Sequence, residues 1–226
     1  VGHGVDLNVV KKGFASSKAF FELPDETKEQ YKYEGHLSNR GFIPMGKDNP
    51  GRQCKSAAPV MQPDRKETFE IGKEGEAGYS NRWPSELAEQ GFKEDMLTYF
   101  NTFDQLYCRL MKYLGVGLGL DDKDFFEERC NEQHCNLRLL HYPEVKKDGS
   151  ALESDEPVIR GMRHTDFGTL TLLCQDQTGG LRVERQDGTW TFVPPVLGGI
   201  VVNVGDVSRS NLVLALLHTI QTSASS

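Results

Sequence analysis

The chain has 226 residues, with 26 Lys and Arg against 33 Asp and Glu, for a formal charge of -7 and a pI near 5.4. That length suits one large domain or a domain and a half, and an acidic balance with no Lys/Arg cluster of five or more lacks the footprint of a nucleic-acid-backbone binder. Hydrophobic residues at 37% with charged residues at 26% exclude wholesale disorder, and no apolar run approaches the roughly 20 residues that span a bilayer.

The chain opens on Val1-Gly-His-Gly4, with no initiator Met and no signal-type stretch, so nothing suggests secretion and the start reads as mid-domain sequence. After Asp6, a candidate N-cap, Val10, Phe14, Ser17 and Phe21 recur every three or four residues, which predicts an amphipathic helix ending before Pro24. Pro24-Asp-Glu-Thr-Lys28 opens a short second helix. Gly35, Gly41, Pro44, Gly46 and Pro50 then make 34–66 mostly loop, with His36 and the Gly41–Gly51 stretch a candidate lid. Lys66 to Gly72 alternates weakly, as a strand does. Phe92, Met96, Phe100, Phe103, Tyr107, Leu110 and Leu114 mark a long helix that ends at Gly115 and lays one face on something large.

From Asn136 the period changes. Short runs at 136–142, 168–174, 180–185, 189–193 and 199–204, parted by Pro, Gly-Gly and Asp-Gly, predict an antiparallel barrel or sandwich, with a tight hairpin at Gln186-Asp-Gly188. Helices followed by sheet make the fold class α+β. The domain division expected is a helix-rich region over 1–135 and a β core over 136–226.

The five cysteines, Cys54, Cys108, Cys130, Cys135 and Cys174, are odd in number and irregularly spaced, as buried thiols of a reducing, cytoplasmic compartment are. Cys130 and Cys135 with His134 lack the second ligand pair of a structural zinc site.

The sharpest local feature is Arg163-His-Thr-Asp-Phe-Gly-Thr169. His164 and Asp166, two apart at the mouth of a strand, share a face and supply two of the three ligands of a 2-His-1-carboxylate site, which leaves positions open for other molecules. The third ligand must be another histidine. Downstream there is only His218, at the end of the apolar run Leu212–Leu217. By itself a His-x-Asp pair more often caps a strand or ties a loop.

The surroundings change that balance. His164-Thr-Asp-Phe-Gly-Thr-Leu-Thr-Leu-Leu173, Gly179-Gly-Leu-Arg-Val183, Asp187-Gly-Thr-Trp190, Val193-Pro-Pro195 and Val202-Asn-Val-Gly-Asp206 follow one another in an order that resembles the Fe(II)- and 2-oxoglutarate-dependent dioxygenases, in the isopenicillin N synthase-like branch. Upstream, Gly2-His-Gly-Val5, Phe20-Phe-Glu-Leu-Pro24 and Lys66-Glu-Thr-Phe-Glu-Ile-Gly72 are similar to segments of that branch, so the resemblance covers almost the whole chain. It implies a double-stranded β-helix, or distorted jelly roll, with N-terminal helices on the sheet. It further implies that His164, Asp166 and His218 hold Fe(II) as metal ligands and catalytic residues, with 2-oxoglutarate as cosubstrate and molecular oxygen as oxidant. The expected reaction is hydroxylation, desaturation or cyclisation of a small organic molecule, as in specialised metabolism, with no nucleic-acid or membrane partner. Oligomeric state is left open.

Departures from the family pattern begin after Asp206. The linker to His218 is short and lacks an aromatic, Thr219-Ile220 stand where the branch has Arg-Val, and no arginine follows His218 to grip the far carboxylate of 2-oxoglutarate. The core over 136–226 is therefore expected to be incomplete at its C-terminal end. Tyr142 matches the tyrosine that hydrogen-bonds 2-oxoglutarate in many relatives, the alternative being a buried strand tyrosine. Arg138, on the opposite register from His141, is the candidate substitute anchor. His141 is expected to be structural, Arg160 and Arg163 to solvate a rim or meet a substrate carboxylate, Phe167 to be core or pocket lining, and Asp206 to fix the Gly-Asp turn. Two other functions stay open: an isopenicillin N synthase-like iron oxidase that uses no 2-oxoglutarate, and a catalytically inactive barrel that binds a ligand or partner.

Overall fold

Asp6 opens helix α1 (Leu7–Phe21) by accepting a hydrogen bond from the Asn8 backbone N–H at 2.8 Å. Helix α2 (Asp25–Glu29) begins directly after Pro24, its first turn carrying Asp25 and Glu26 as the helix dipole favours. The computed structural model describes residues 2–34, 39–47, 64–118, 122, 125–126, 135–144, 160–161, 163–166 and 168–206, with the backbone of Ile220–Ser223. His36, Cys54, Cys130, His134, Phe167 and His218 lie outside the described residues. Two units are distinguished, Val1–Ile43 with Thr68–Leu139 and Pro44–Glu67 with Leu140–Ser226.

In the first unit, strand β1 (Gly41–Ile43) pairs antiparallel with β2 (Glu67–Gly72), and β2 lies between β1 and β3 (Asn136–His141) in a three-stranded sheet. Within the 34–66 stretch, expected to be mostly loop, the short strand β1 is an element that the sequence does not announce. A three-residue strand flanked by Gly and Pro is too short to leave a period, and its pairing with β2 supplies the order that local sequence does not. All six residues of β2 are buried, which explains its weak alternation.

Helix α3 runs from Phe92 to Gly117 and buries Phe92, Met96, Phe100 and Phe103 as expected, then Leu106, Met111 and Gly115 beside the expected Tyr107, Leu110 and Leu114. The core joins this stripe to α1 and the sheet. Phe20 and Phe69 are fully buried with ring centroids 4.2 Å apart, and Ile71, Met96 and Leu139 complete the packing. Phe14 on α1 is 37% exposed, against expectation, because α1 is rotated to bury Gly13 and Phe20 instead.

The second unit is β-rich. Strand β4 (Leu170–Leu173) pairs with β7 (Val201–Val204), and β5 (Leu181–Glu184) lies between β6 (Trp190–Phe192) and β8 (Ile220–Ser223), all antiparallel. The five strands expected after Asn136 are all present. The hairpin joining β5 to β6 is closed by Arg185 N–H on Thr189 O at 2.8 Å and by the Thr189 N–H on the Asp187 carboxylate at 2.9 Å. Helices with antiparallel sheets give the α+β class, and no helix among the described residues is long and apolar enough to cross a membrane.

Gly13 reverses a general rule. Alanine in a helix interior usually stabilises relative to glycine by about 0.5–1 kcal/mol, but a Cβ at position 13 would lie 2.3 Å from Tyr99 Cδ2, on a ring stacked against Phe103. Gly13→Ala is therefore expected to destabilise the chain by about 1–3 kcal/mol, measured as a lower urea midpoint at unchanged slope.

Candidate metal centre

The chain leading into β4 carries the candidate pair. His164 Nε2 and Asp166 Oδ1 stand 3.5 Å apart, each side chain 20% exposed. Two ligands about 2.0–2.2 Å from one ion and at right angles to each other are about 3 Å apart, so an adjustment of about half an ångström would let both meet one metal. Imidazole and carboxylate are also donors that suit Fe(II).

Strand β7 fixes this pair from behind. Its register sets Asn203 opposite Thr171, and Asn203, 2% exposed, donates from Nδ2 to Asp166 Oδ2 at 2.8 Å. The turn after β7 adds backbone bonds from Asp206 N–H to Asp166 O at 2.7 Å and from Gly205 N–H to Thr169 O at 3.0 Å. Thr165 Oγ1 donates to Asp206 Oδ2 at 2.7 Å, so Asp206 fixes the turn, as its Gly-Asp setting suggests. Glycine is required at 205 because a Cβ there would come within 2.2 Å of Gly168 O and 2.7 Å of Asp166 O.

Burial alone would raise the Asp166 pKa. Polar contacts with His164, Thr171 and Asn203, and the charge of the imidazole, outweigh it and hold the carboxyl at about 2, below its ordinary 3.8. Asp166 is thus an anion at neutral pH.

The other sequence candidates are placed as follows. Tyr142 is half-buried just after β3, and Arg160 Nη1 donates to the carbonyls of Tyr142 at 3.1 Å and Pro143 at 2.9 Å. Arg160 is therefore a brace for that segment. Arg138 forms an ion pair with Glu70, which is 3% exposed, and His141 Nδ1 meets Glu67 Oε1 at 2.6 Å, so both buried carboxylates of β2 are matched by β3. Arg163 pairs with Glu184 at 2.8 Å. Cys108, Cys135 and Cys174 are reduced thiols, and burial pushes the Cys135 thiol up to about 12, helped by Asp104. Among the described residues no group of three or more His, Cys, Asp and Glu gathers as a metal cluster. The third ligand of the sequence reading, His218, falls outside them.

Residues 1–86 match the model of the non-haem dioxygenase in morphine synthesis N-terminal region, and residues 133–224 match that of the 2OG-Fe(II) oxygenase superfamily. The chain belongs to the 2OG-Fe(II) oxygenase superfamily. It is 33% identical over 221 residues to a 2-oxoglutarate-dependent dioxygenase of Didymella fabae, covering 91% of this chain and 63% of that one. A 2-oxoglutarate-dependent dioxygenase of Glarea lozoyensis is 31% identical, covering 88% and 61%. Among solved structures, a full-length Neurospora crassa protein in complex with alpha-KG superposes with a TM-score of 0.82 at 32% identity, covering 98% of this chain and 67% of that one. A 2OG-Fe(II) oxygenase family protein from Caulobacter crescentus gives 0.75 at 31% identity, covering 97% and 68%. The chain spans about six-tenths of the length of the curated relatives it matches.

For this oxygenase-family chain, Asn203 is the site residue that sequence reasoning passes over. Its signal is a lone amide among valines in Val201-Val-Asn-Val204, and a buried polar side chain on an apolar strand needs a partner. Arg160 gives less warning, since its bonds are to backbone carbonyls that no residue type announces.

Gly205→Ala is expected to lower the melting temperature of the metal-free chain and to weaken Fe(II) binding as well, because the clash is with the backbone of Asp166 itself; calorimetry and metal titration read the two effects. For Asp166 the folded pKa is depressed, so its stabilisation is complete above pH 3.8 and is lost as pH falls through about 2. In the metal-free chain Asp166→Asn should remove that part of the acid transition, at most about 2 kcal/mol, read as a flatter stability profile across the same window.

Proposed function

We propose that this chain carries the core of a non-haem Fe(II)- and 2-oxoglutarate-dependent oxygenase that hydroxylates, desaturates or cyclises a small organic molecule. The observation that carries the proposal is the half-buried His164–Asp166 pair, its carboxylate held ionised and oriented by Asn203. Supporting it are the family assignment, a relative that is a proline hydroxylase of Petromyces alliaceus, and the Neurospora crassa protein's complex with alpha-KG and thymine. The fungal relatives fit a place in specialised metabolism.

In this proposal His164, Asp166 and His218 hold the iron. The antiparallel strands of 136–226 form a double-stranded β-helix as the catalytic core, and 1–135 is a helix-rich N-terminal region. Iron and 2-oxoglutarate, when bound, supply oxygen activation in which one oxygen atom leaves in succinate, formed with carbon dioxide, and the other oxidises the substrate. The protein's contribution is placement. Asp166 brings a negative charge that needs no deprotonation to bind a cation, and Tyr142, braced by Arg160, presents its hydroxyl as a donor to the oxo acid. Arg138, the other residue expected to grip the cosubstrate, is paired with the buried Glu70. The thiol chemistry of the cysteines fits a cytoplasmic setting.

The test is aerobic incubation with Fe(II), ascorbate and 2-oxoglutarate, with proline or thymine as first substrates, and quantification of succinate. Succinate formed in step with oxidised product is the expected result. Oxygen uptake and product without succinate would replace this proposal by an iron oxidase that uses no 2-oxo acid, and no turnover with any substrate despite bound iron would favour the inactive barrel. Tyr142→Phe is expected to raise the KM for 2-oxoglutarate by about 10-fold to 100-fold, the cost of one hydrogen bond to a charged group, while the KM for the oxidised substrate stays within about twofold.

A further inference from the structure

A carboxylate can bind a metal through one oxygen or through both, and the difference matters at a site whose work depends on open positions. A three-ligand facial site leaves three positions for other molecules, and a carboxylate that turned to bind through both oxygens would take one of them. Nothing in the carboxylate itself prevents that. The restraint must come from its neighbours.

Here the two oxygens of Asp166 stand in different surroundings. Oδ2 accepts the Asn203 amide at 2.8 Å, from a side chain 2% exposed on a strand whose register is set by four pairs with β4. Oδ1 faces His164 Nε2 at 3.5 Å. The main chain at Asp166 is fixed independently, its carbonyl accepting the Asp206 N–H at 2.7 Å, so the freedom left to the residue is largely rotation about its side-chain bonds. The Asn203 amide limits that rotation at Oδ2, alongside the Thr171 side chain, which also hydrogen-bonds the carboxylate. That amide can donate to one carboxylate oxygen while presenting no charge of its own, which an aspartate or lysine at the same position could not do.

We infer that Asn203 is a positioning residue that restricts Asp166 to one-oxygen ligation of the metal, turning Oδ1 toward the side of His164 and holding Oδ2 against β7. The inference rests on the iron site of the proposed function and deepens it: by keeping Oδ2 off the metal, Asn203 would leave a position open for 2-oxoglutarate. Its loss should therefore act on the cosubstrate more than on the metal. Residues that orient a metal ligand commonly change affinity by about 10-fold to 100-fold when removed.

The experiment is anaerobic titration of the chain, first with Fe(II) and then with 2-oxoglutarate, following the visible charge-transfer band of a chelated 2-oxo acid. The proteins compared are wild type, Asn203→Ala and Asn203→Leu, the last keeping most of the volume while removing the donor. Both variants are expected to bind Fe(II) within about tenfold of wild type, to bind 2-oxoglutarate about 10-fold to 100-fold more weakly, and to show a displaced or weakened band. Val202→Ala, on the outward face of the same strand at 47% exposure, loosens β7 without touching Asp166 and should leave the band in place. Wild-type cosubstrate affinity and band in the Asn203 variants would overturn the inference, as would the same displacement in Val202→Ala. Should neither Asn203 variant fold, a crystal structure of the iron-loaded wild-type chain decides: Oδ1 alone on the metal with Oδ2 on Asn203 supports the inference, and both oxygens at bonding distance overturn it. A wild-type chain that binds no iron would instead overturn the site reading, and this inference with it.

Discussion

The antiparallel pairing of β4 with β7 is the constraint on which the candidate site depends. Four residue pairs fix the register, and a slip of one would turn Asn203 to the opposite face and remove the donor from Asp166. The contacts that hold Asp166 follow from that register: the amide on Oδ2, the backbone bonds from Gly205 and Asp206, and the side-chain clamp between Thr165 and Asp206. The Gly205 position shows how close the two segments run, since no side chain fits between it and the carbonyls of Gly168 and Asp166.

Electrostatics and packing act together at this point. An isolated buried carboxylate would tend to hold its proton, and such a group is a poor ligand for a cation until the proton leaves. The surrounding donors reverse that tendency for Asp166. In the first unit the same rule is met differently, where Glu70 on the fully buried strand β2 is matched by Arg138. There the pairing serves the sheet. At Asp166, by contrast, His164 also faces the carboxylate from a partly exposed position, as the proposed metal site requires.

Much of this was legible in the residues because the relevant signals are local. The Phe92–Leu114 stripe, the Asp6 cap and the Gln186-Asp-Gly188 turn each encode an element within a few positions, and His164-x-Asp166 states two ligands on one face. What was not legible depends on pairing across the chain. Strand β1 is too short to show a period, the rotation of α1 toward Gly13 answers to the Tyr99 ring, and Asn203 gains its role only through β4. Arg138 illustrates the limit from the other side, since alternation along β3 gives its face but cannot show that Glu70 on the neighbouring strand holds it. His218 was a candidate as the only histidine downstream of the pair, and the resemblance to a family gave that candidate its role in the proposed site.

In the proposed site three side chains, His164, Asp166 and His218, share one iron. Anaerobic equilibrium dialysis against Fe(II) tests it most directly, with wild type and the three single alanine variants each first shown to be folded. The account predicts one Fe(II) per wild-type chain and its loss, or a large fall in affinity, in every variant. Wild-type binding by any one of the three would contradict it.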